Sequence, residues 1–225
     1  MKDFQKVGGV GAFLQAAFFV MLFVYIFVVL PSQGLAGPTA LNDPAKALPF
    51  AANSPILSLV NLIFVPLVIG IILVVLALYE RLQGGSPGVV RIATAAGLVA
   101  TALFLARAMI GFIAPPQLAQ LYAHNPAEAG AAYLALSLVI GGLNNAAIFA
   151  VGSFQLLVSW AALRTGGLSK PLSYLGLLTG VVGILAFTIP LGGLIGAAIT
   201  LVWSLWLGVV LLRAQPIKQE AIATA

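Results

Sequence analysis

The side chains best suited to bind a ligand in this sequence are one arginine and three asparagines that interrupt long apolar stretches. Arg107 and Asn61 lie in two of these stretches, and Asn144 and Asn145 lie side by side in a third. A charged group costs at least a few kcal/mol in hydrocarbon, so an arginine inside a membrane segment marks a functional site. With a rise of about 1.5 Å per residue, Arg107, Asn61 and Asn145 lie about 23, 28 and 27 Å from one membrane boundary. The four side chains predict an outward-opening pocket for an anionic or polar ligand, such as a lipid headgroup.

The same polar residues allow a second interpretation, as contacts that hold helices together. One stripe of small and polar residues covers an arc of about 80° and consists of Ser137, Gly141, Asn145, Gly152, Gln155 and Ser159. Small residues let helix backbones approach, and amides hydrogen-bond across the contact. In this interpretation Gln15, Gln155 and Ser159 make interhelical polar contacts, and Arg107 extends toward headgroups or Glu128. The sequence leaves both interpretations open.

The motifs that identify common enzyme classes are missing from the apolar stretches of the chain. It has no cysteine, which excludes disulfides, thiolate metal ligands and cysteine nucleophiles. His124 is the single histidine, and no paired carboxylates, HExxH or GxSxG motif occur in the apolar stretches. We therefore expect no enzyme, no catalytic residues, no cofactor and no metal. The net charge is +5, but the basic residues are scattered singly, so no nucleic-acid partner is expected.

The composition requires lipid as the solvent for most of the surface. Hydrophobic residues make up 62% of the 225 residues and charged residues only 7%, against roughly 25% charged in ordinary soluble domains. A span needs about 20 apolar residues. The sequence predicts a single all-α transmembrane bundle with six spans, at about 8–30, 55–79, 91–113, 131–163, 171–188 and 192–213. The first is longer than the roughly 7–15 apolar residues of a signal peptide, so we expect it to be retained.

Proline and glycine predict where these spans bend or stop. The segment 31–54 is expected to be a loop rich in proline and small residues, and Pro66 is expected to kink the second span. Pro115 and Pro116 are expected to end the third span, before a polar connection over 117–130. The fourth apolar stretch is too long for one straight crossing. We expect it either to protrude on the outer side or to bend near Gly141-Gly142.

The distribution of basic residues predicts the orientation, with both termini in the cytoplasm. Eight of the ten basic residues then lie inside, namely Lys2, Lys6, Arg81, Arg91, Arg164, Lys170, Arg213 and Lys218. The two inner turns also look alike, since 81–87 and 164–171 both carry a basic residue, Gly-Gly and proline. This likeness predicts a parallel hairpin repeat in which spans two and three match spans four and five. The alternative is that any short inner turn has this composition.

Three short segments carry a resemblance to a known family. They are the start at 2–11, the span end at 149–164 and the sequence Leu168–Gly176 that opens the fifth span. In these segments the chain resembles an uncharacterised family of bacterial six-span integral membrane proteins, a domain-of-unknown-function family. The resemblance implies the bacterial cytoplasmic (inner) membrane and a multi-pass topology, and it brings no catalytic residues.

Two function classes remain after these exclusions. The first is a non-enzymatic component, either an accessory or scaffold subunit of a larger membrane protein complex or a module that binds membrane lipids. The second is a facilitator or transporter for a small neutral or anionic solute, with a polar site around Arg107. No acidic residue lies in a predicted span to carry protons or bind sodium, which favours the first class.

Overall fold

The computed structural model describes residues 2–35, 37–186, 188 and 192–213, and over these residues the chain is all-α, without a strand. The first helix, α1, is Lys2–Val24, prolonged by a π-helical segment Tyr25–Val29 and by Leu30–Ser32. The other helices are α2 (Pro44–Asn53), α3 (Ile56–Leu82), α4 (Pro87–His124), α5 (Pro126–Thr165), α6 (Lys170–Leu185) and α7 (Gly192–Arg213).

Five of these helices, α1, α3, α4, α5 and α7, are long and apolar enough to cross a membrane. The chain is therefore a multi-pass membrane protein. The predicted fifth span, 171–188, corresponds to α6, which is shorter at 16 residues. The count of six spans, like the orientation and the hairpin repeat, stays a prediction.

The six longer helices form a closed ring. Each of α3 to α7 packs against the next along the chain, and α1 closes the ring by packing against both α3 and α7. Helix α2 lies outside the ring, against α4 and α5. Helices α3 and α5 also touch across the ring, and all six helices contribute side chains to its interior.

Glycines bring neighbouring backbones into direct contact in one half of the bundle. A Cβ atom added at Gly180 of α6 would lie 2.6 Å from the Leu156 nitrogen of α5, and one at Gly152 of α5 would lie 2.9 Å from the Gly180 oxygen. Between α1 and α3, a Cβ atom at Gly70 would lie 2.6 Å from the Gly11 oxygen. Such close approach is how small residues join membrane helices.

The antiparallel pair α4 and α5 is longer than a membrane is thick. With 38 and 40 residues, they extend about 57 and 60 Å, against a hydrocarbon core of roughly 30 Å. Helix α5 passes Gly141-Gly142 without a break in the helix, and at 40 residues it is long enough to protrude from the membrane, as one of the two expectations for this stretch had it. Helix α4 does not end at Pro115-Pro116 but continues to His124, which corrects the prediction of a stop there.

Two regions predicted to be connections are largely helical. The segment 117–130 is helical except at Asn125, whose side chain accepts a hydrogen bond from the Glu128 nitrogen and so begins α5. The predicted loop 31–54 contains α2, whose N-cap Asp43 accepts a hydrogen bond from the Ala45 nitrogen at 3.0 Å. An aspartate before a proline is a typical helix start, so the signal for α2 was present in the sequence. Tyr133 Oη donates to the Leu41 carbonyl at 2.6 Å and ties this region to α5.

Candidate functional site

Arg107 of α4 and Asn61 of α3 are in direct contact at the centre of the candidate site. Arg107 Nη1 donates a hydrogen bond to Asn61 Oδ1 at 3.2 Å. The guanidinium carbon also lies 3.9 Å from the centre of the Phe64 ring, which is a cation–π contact. Asn61 itself is buried, at 8% exposure. The sequence predicted similar depths in the membrane for these two residues, and in the structure their side chains touch.

Two prolines on facing helices account for the position of Asn61. Pro66 has no N–H to donate and crowds the preceding turn, and that turn, Val60–Ile63, is a tighter 3-10 helix that carries Asn61. The predicted kink at Pro66 thus takes the form of a tightened turn just before it. On α4, Pro115 cannot donate to the Gly111 carbonyl four residues earlier.

Asn61 replaces the hydrogen bond that Pro115 removes. Its Nδ2 donates to the Gly111 carbonyl at 3.0 Å and to the Leu57 carbonyl at 2.9 Å. Gly111 has no side chain to obstruct this approach, since a Cβ atom there would lie 2.5 Å from Asn61 Oδ1. A proline inside a helix is tolerated in a membrane when a neighbouring helix satisfies the freed carbonyl. This contact is the physical reason why α4 continues through Pro115-Pro116.

Two cavities meet at Arg107 and Asn144. The first, of about 440 Å³, lies inside the ring and is lined by residues of all six longer helices; we call it the central cavity. The second, of about 340 Å³, is lined by α3, α4, α5 and the chain before α2; we call it the polar cavity. The polar cavity is lined by Asn61 and Tyr133 as well as by the two shared side chains. Both volumes lie in the range of small-molecule sites, roughly 300–1,000 Å³.

Arg107 has no carboxylate partner among the residues that the structure describes. Its only hydrogen bond there is to the neutral Asn61, and its Nε atom is buried without a partner. Glu128 does not reach it but accepts a hydrogen bond from Asn125 Nδ2 at 2.9 Å, so the interpretation in which Arg107 extends toward Glu128 is wrong. Arg107 is partly buried, and a partly desolvated cation without an anion beside it is costly. The site is therefore electrostatically prepared for an anion.

Of the four residues predicted to line a pocket, three line a cavity and one does not. Asn61, Arg107 and Asn144 line the polar cavity, and the last two also line the central cavity. Asn145 is exposed and lines neither cavity. Asn145 lies seven positions, about two helical turns, from Gly152, which packs against Gly180 of α6. Helix α6 ends at Leu185.

The residues predicted to make interhelical polar contacts also differ in what they do. Gln15 Oε1 of α1 accepts a hydrogen bond from Ser204 Oγ of α7 at 3.5 Å. Gln155 is buried and lines the central cavity. Ser159 Oγ is buried without a partner in the described part of the chain, and it lies against Gly176 of α6. Within the described residues, Gln15 alone of the three makes the predicted kind of bond.

Sequence reasoning did not single out Phe64 or Tyr133 as site residues. Phe64 follows Asn61 by three positions, so the two share a helix face, and this spacing was the available signal. Tyr133 had no comparable signal, because its part of α5 was expected to be an ordinary span start. In the described residues, no three His, Cys, Asp or Glu side chains lie close enough together to hold a metal ion.

The arrangement can bind an anion at a fixed point and surround an attached apolar group. Arg107 supplies charge and hydrogen-bond donors, Asn144 supplies an amide, and the central cavity supplies apolar walls such as Phe18, Leu67 and Ile148. Comparison of the chain with protein-family models, with curated proteins and with solved structures gives no match.

Proposed function

We propose that this protein is a non-enzymatic lipid-binding module of a bacterial cytoplasmic membrane, with six spans and both termini in the cytoplasm. Its ligand is an anionic amphiphile whose charged group binds Arg107 and Asn144 and whose apolar part enters the central cavity. The observation that carries the proposal is the uncompensated guanidinium of Arg107 at the junction of the two cavities. A charge in a membrane segment persists only where it is used or paired.

The orientation in this proposal comes from the basic residues of the two inner turns. Arg81, Arg91, Arg164 and Lys170 lie at the end of the bundle where α3 turns into α4 and α5 into α6. Basic residues in short loops favour the cytoplasmic side. Arg107 then lies in the outer third of the membrane, where an anionic headgroup from the outer leaflet can reach it.

The lipid content of the purified protein tests the proposal. Wild type, Arg107→Gln and Arg91→Gln would be purified in mild detergent from bacterial membranes, and bound lipids quantified by mass spectrometry. Arg91 is the matched control, because it lies on the same helix and is exposed. We expect a stoichiometric anionic amphiphile in wild type and in Arg91→Gln, and its loss in Arg107→Gln. Equal lipid content in all three proteins would refute the proposal.

One feature favours an accessory role in a larger membrane complex in addition to lipid binding. The upper part of α5 leaves an apolar face uncovered, with Leu138 at 79% and Val139 at 52% exposure. An uncovered apolar face beyond the thickness of the hydrocarbon core favours a protein neighbour. A partner that copurifies with wild type, and that Leu138→Gln releases, would support this role. A chain that elutes alone under the same conditions would count against it.

A facilitator for a small anionic solute is the alternative function. The central cavity extends from Arg107 toward Gln15 and Gln155, so polar groups occur at two depths along it. Uptake of candidate anions into proteoliposomes, with Arg107→Ala as the control, separates the two functions. Flux that depends on Arg107 would support the facilitator, whereas equal flux in both proteins would remove it.

A further inference from the structure

The central cavity holds unpaired hydrogen-bonding groups at the end away from Arg107. Gln155 is only 2% exposed, lines the cavity and makes no hydrogen bond to any residue that the structure describes. Gln15, at 5% exposure, lines the same cavity, and only its carbonyl oxygen is used, by Ser204. Buried amides are almost always hydrogen-bonded, so an unpaired one facing a cavity indicates a missing partner. We call Gln15 and Gln155 the amide floor.

The cavity between Arg107 and the amide floor is apolar. Its walls there include Phe18 and Leu22 of α1, Leu67 of α3 and Val151 of α5. Asn144 and Gln155 are eleven positions apart on the unbroken helix α5, which corresponds to about 16 Å. A ligand in this cavity therefore meets a cation first, then an apolar passage, and finally two amides.

The succession of cation, apolar passage and amides restricts the chemistry of the ligand more than Arg107 alone would. A plain saturated chain bound at Arg107 would place its terminal methyl group against the amide floor and leave the Gln155 amide and the Gln15 NH2 group unpaired, which is unfavourable. A chain that ends in a hydroxyl or an amide would satisfy them. Thr200 of α7, which also lines the cavity, adds a hydroxyl to the polar lining.

We infer that the ligand is an elongated amphiphile with an anionic group at one end and a neutral hydrogen-bonding group at the other, about 11–16 Å apart, the heights of Arg107 and Asn144 above Gln155 along the helix axes. The anionic end binds Arg107, so the inference rests on the proposed function, and the neutral end binds Gln155 and Gln15. Gln155 is thus the residue that determines specificity for the far end of the chain. An ω-hydroxy carboxylate of medium chain length is the simplest molecule of this class.

Binding of two matched probes tests the inference. The probes are a radiolabelled ω-hydroxy fatty acid and the unsubstituted fatty acid of the same chain length, each over a series of lengths. Binding to full-length protein in phosphatidylcholine nanodiscs would be measured by scintillation proximity. The variants are Gln155→Leu, Gln155→Met and Arg107→Gln. Asn145→Leu is the matched control, because it removes an exposed amide from the same helix.

We expect the wild type to prefer the ω-hydroxy acid about tenfold at the best length, which is the effect of one or two buried hydrogen bonds. Gln155→Leu should abolish this preference while binding the unsubstituted acid as well as wild type does or better. Gln155→Met should behave in the same way, and if either variant is misfolded on size-exclusion chromatography the other decides. Asn145→Leu should keep the preference.

Failure of the inference and failure of the proposed function give different results. If both acids bind wild type equally, and both require Arg107, the anionic site stands and the assignment of Gln155 is wrong. If the preference exists but survives both Gln155 variants, the assignment is also wrong. If neither acid binds in a manner that depends on Arg107, the proposed function itself fails.

Discussion

The two halves of the bundle differ in how their helices meet. In the half near the inner turns, glycines meet backbone across helices, as Gly152 meets Gly180. The turns also pack on each other there, and Arg81 Nε donates to the Gly167 carbonyl at 2.6 Å. In the half near Arg107, the helices enclose two cavities, and the central one continues past Gly152 to Gln155. A Cβ atom added at Gly142, on the α5 segment of that half, would meet no atom within 4 Å.

The difference indicates that one part of the bundle fixes the helices and the other part encloses the candidate site. Direct backbone contact fixes the helices at one end without large side chains. Because they are fixed there, the other end can hold space around a charge that is not paired within the described chain. A rigid part that positions a less densely packed binding part is a common arrangement of binding sites. The following predictions test each side of this contrast.

The largest expected effect is the presence or absence of cysteine labelling, which shows which end of the bundle faces the cytoplasm. The chain has no cysteine, so single cysteines can be introduced without background. Gly84→Cys lies in the exposed α3–α4 turn, and Ala127→Cys lies at the exposed start of α5. On intact spheroplasts, an impermeant maleimide should label only Ala127→Cys. Labelling of Gly84→Cys without permeabilisation would reverse the orientation.

A second prediction compares glycines of the two halves on the same helix. In Gly152→Ala the new methyl group would meet backbone atoms at 2.9 Å, and overpacking of this kind typically costs about 1–3 kcal/mol. We expect the Tm in detergent to fall by roughly 2–4 °C for each kcal/mol lost. Gly142→Ala has open space and should leave the Tm unchanged or raise it, because alanine favours helix. Equal effects of the two substitutions would remove the packing contrast.

A third prediction concerns the contact that lets α4 pass through its prolines. Asn61→Leu should leave the Gly111 carbonyl unpaired and destabilise the protein by about 1–3 kcal/mol. In a Pro115→Ala background the backbone N–H of residue 115 can satisfy that carbonyl, so the same substitution should cost about 1 kcal/mol less. Thermal unfolding of the four proteins in the double-mutant cycle gives the coupling. Additive effects would mean that Asn61 does not replace the lost backbone bond.

The outcome for Pro115 illustrates what could and could not be derived from the sequence. The all-α class and the apolar membrane helices follow from composition and run length alone, because hydrocarbon forces the backbone to pair within helices. The level of Arg107 and Asn61 also follows, since helical rise is constant. That Asn61 donates to Gly111 depends on how α3 is rotated relative to α4. Local sequence does not determine that rotation, and the prediction of a helix stop at Pro115-Pro116 was therefore wrong.

The same limit separates Asn144 from Asn145. Adjacent helical positions differ by about 100° in direction, so the two asparagines meet different surroundings. Both were predicted to line the pocket, but Asn145 is exposed and lines neither cavity. The cavities themselves depend on the distances between helices, which the sequence does not encode in any single motif.

The smallest predicted effect compares these two neighbours. Asn144→Leu removes an amide from both cavities and should weaken binding of an anionic amphiphile about fivefold, the effect of one hydrogen bond of about 1 kcal/mol. Asn145→Leu removes an amide from an exposed position and should leave binding unchanged. Scintillation proximity on the two variants in parallel makes the comparison. A larger loss for Asn145→Leu would place the site on the other face of α5.

The most direct test of the anionic site at Arg107 is an experimental structure in nanodiscs that contain anionic lipid, for wild type and Arg107→Gln. In wild type we expect elongated ligand density in the central cavity with its head against the Arg107 guanidinium, and in Arg107→Gln we expect that density to be gone while the helices keep their positions. A wild-type structure in which a protein carboxylate pairs with Arg107, or in which side chains fill the central cavity, would contradict the assignment.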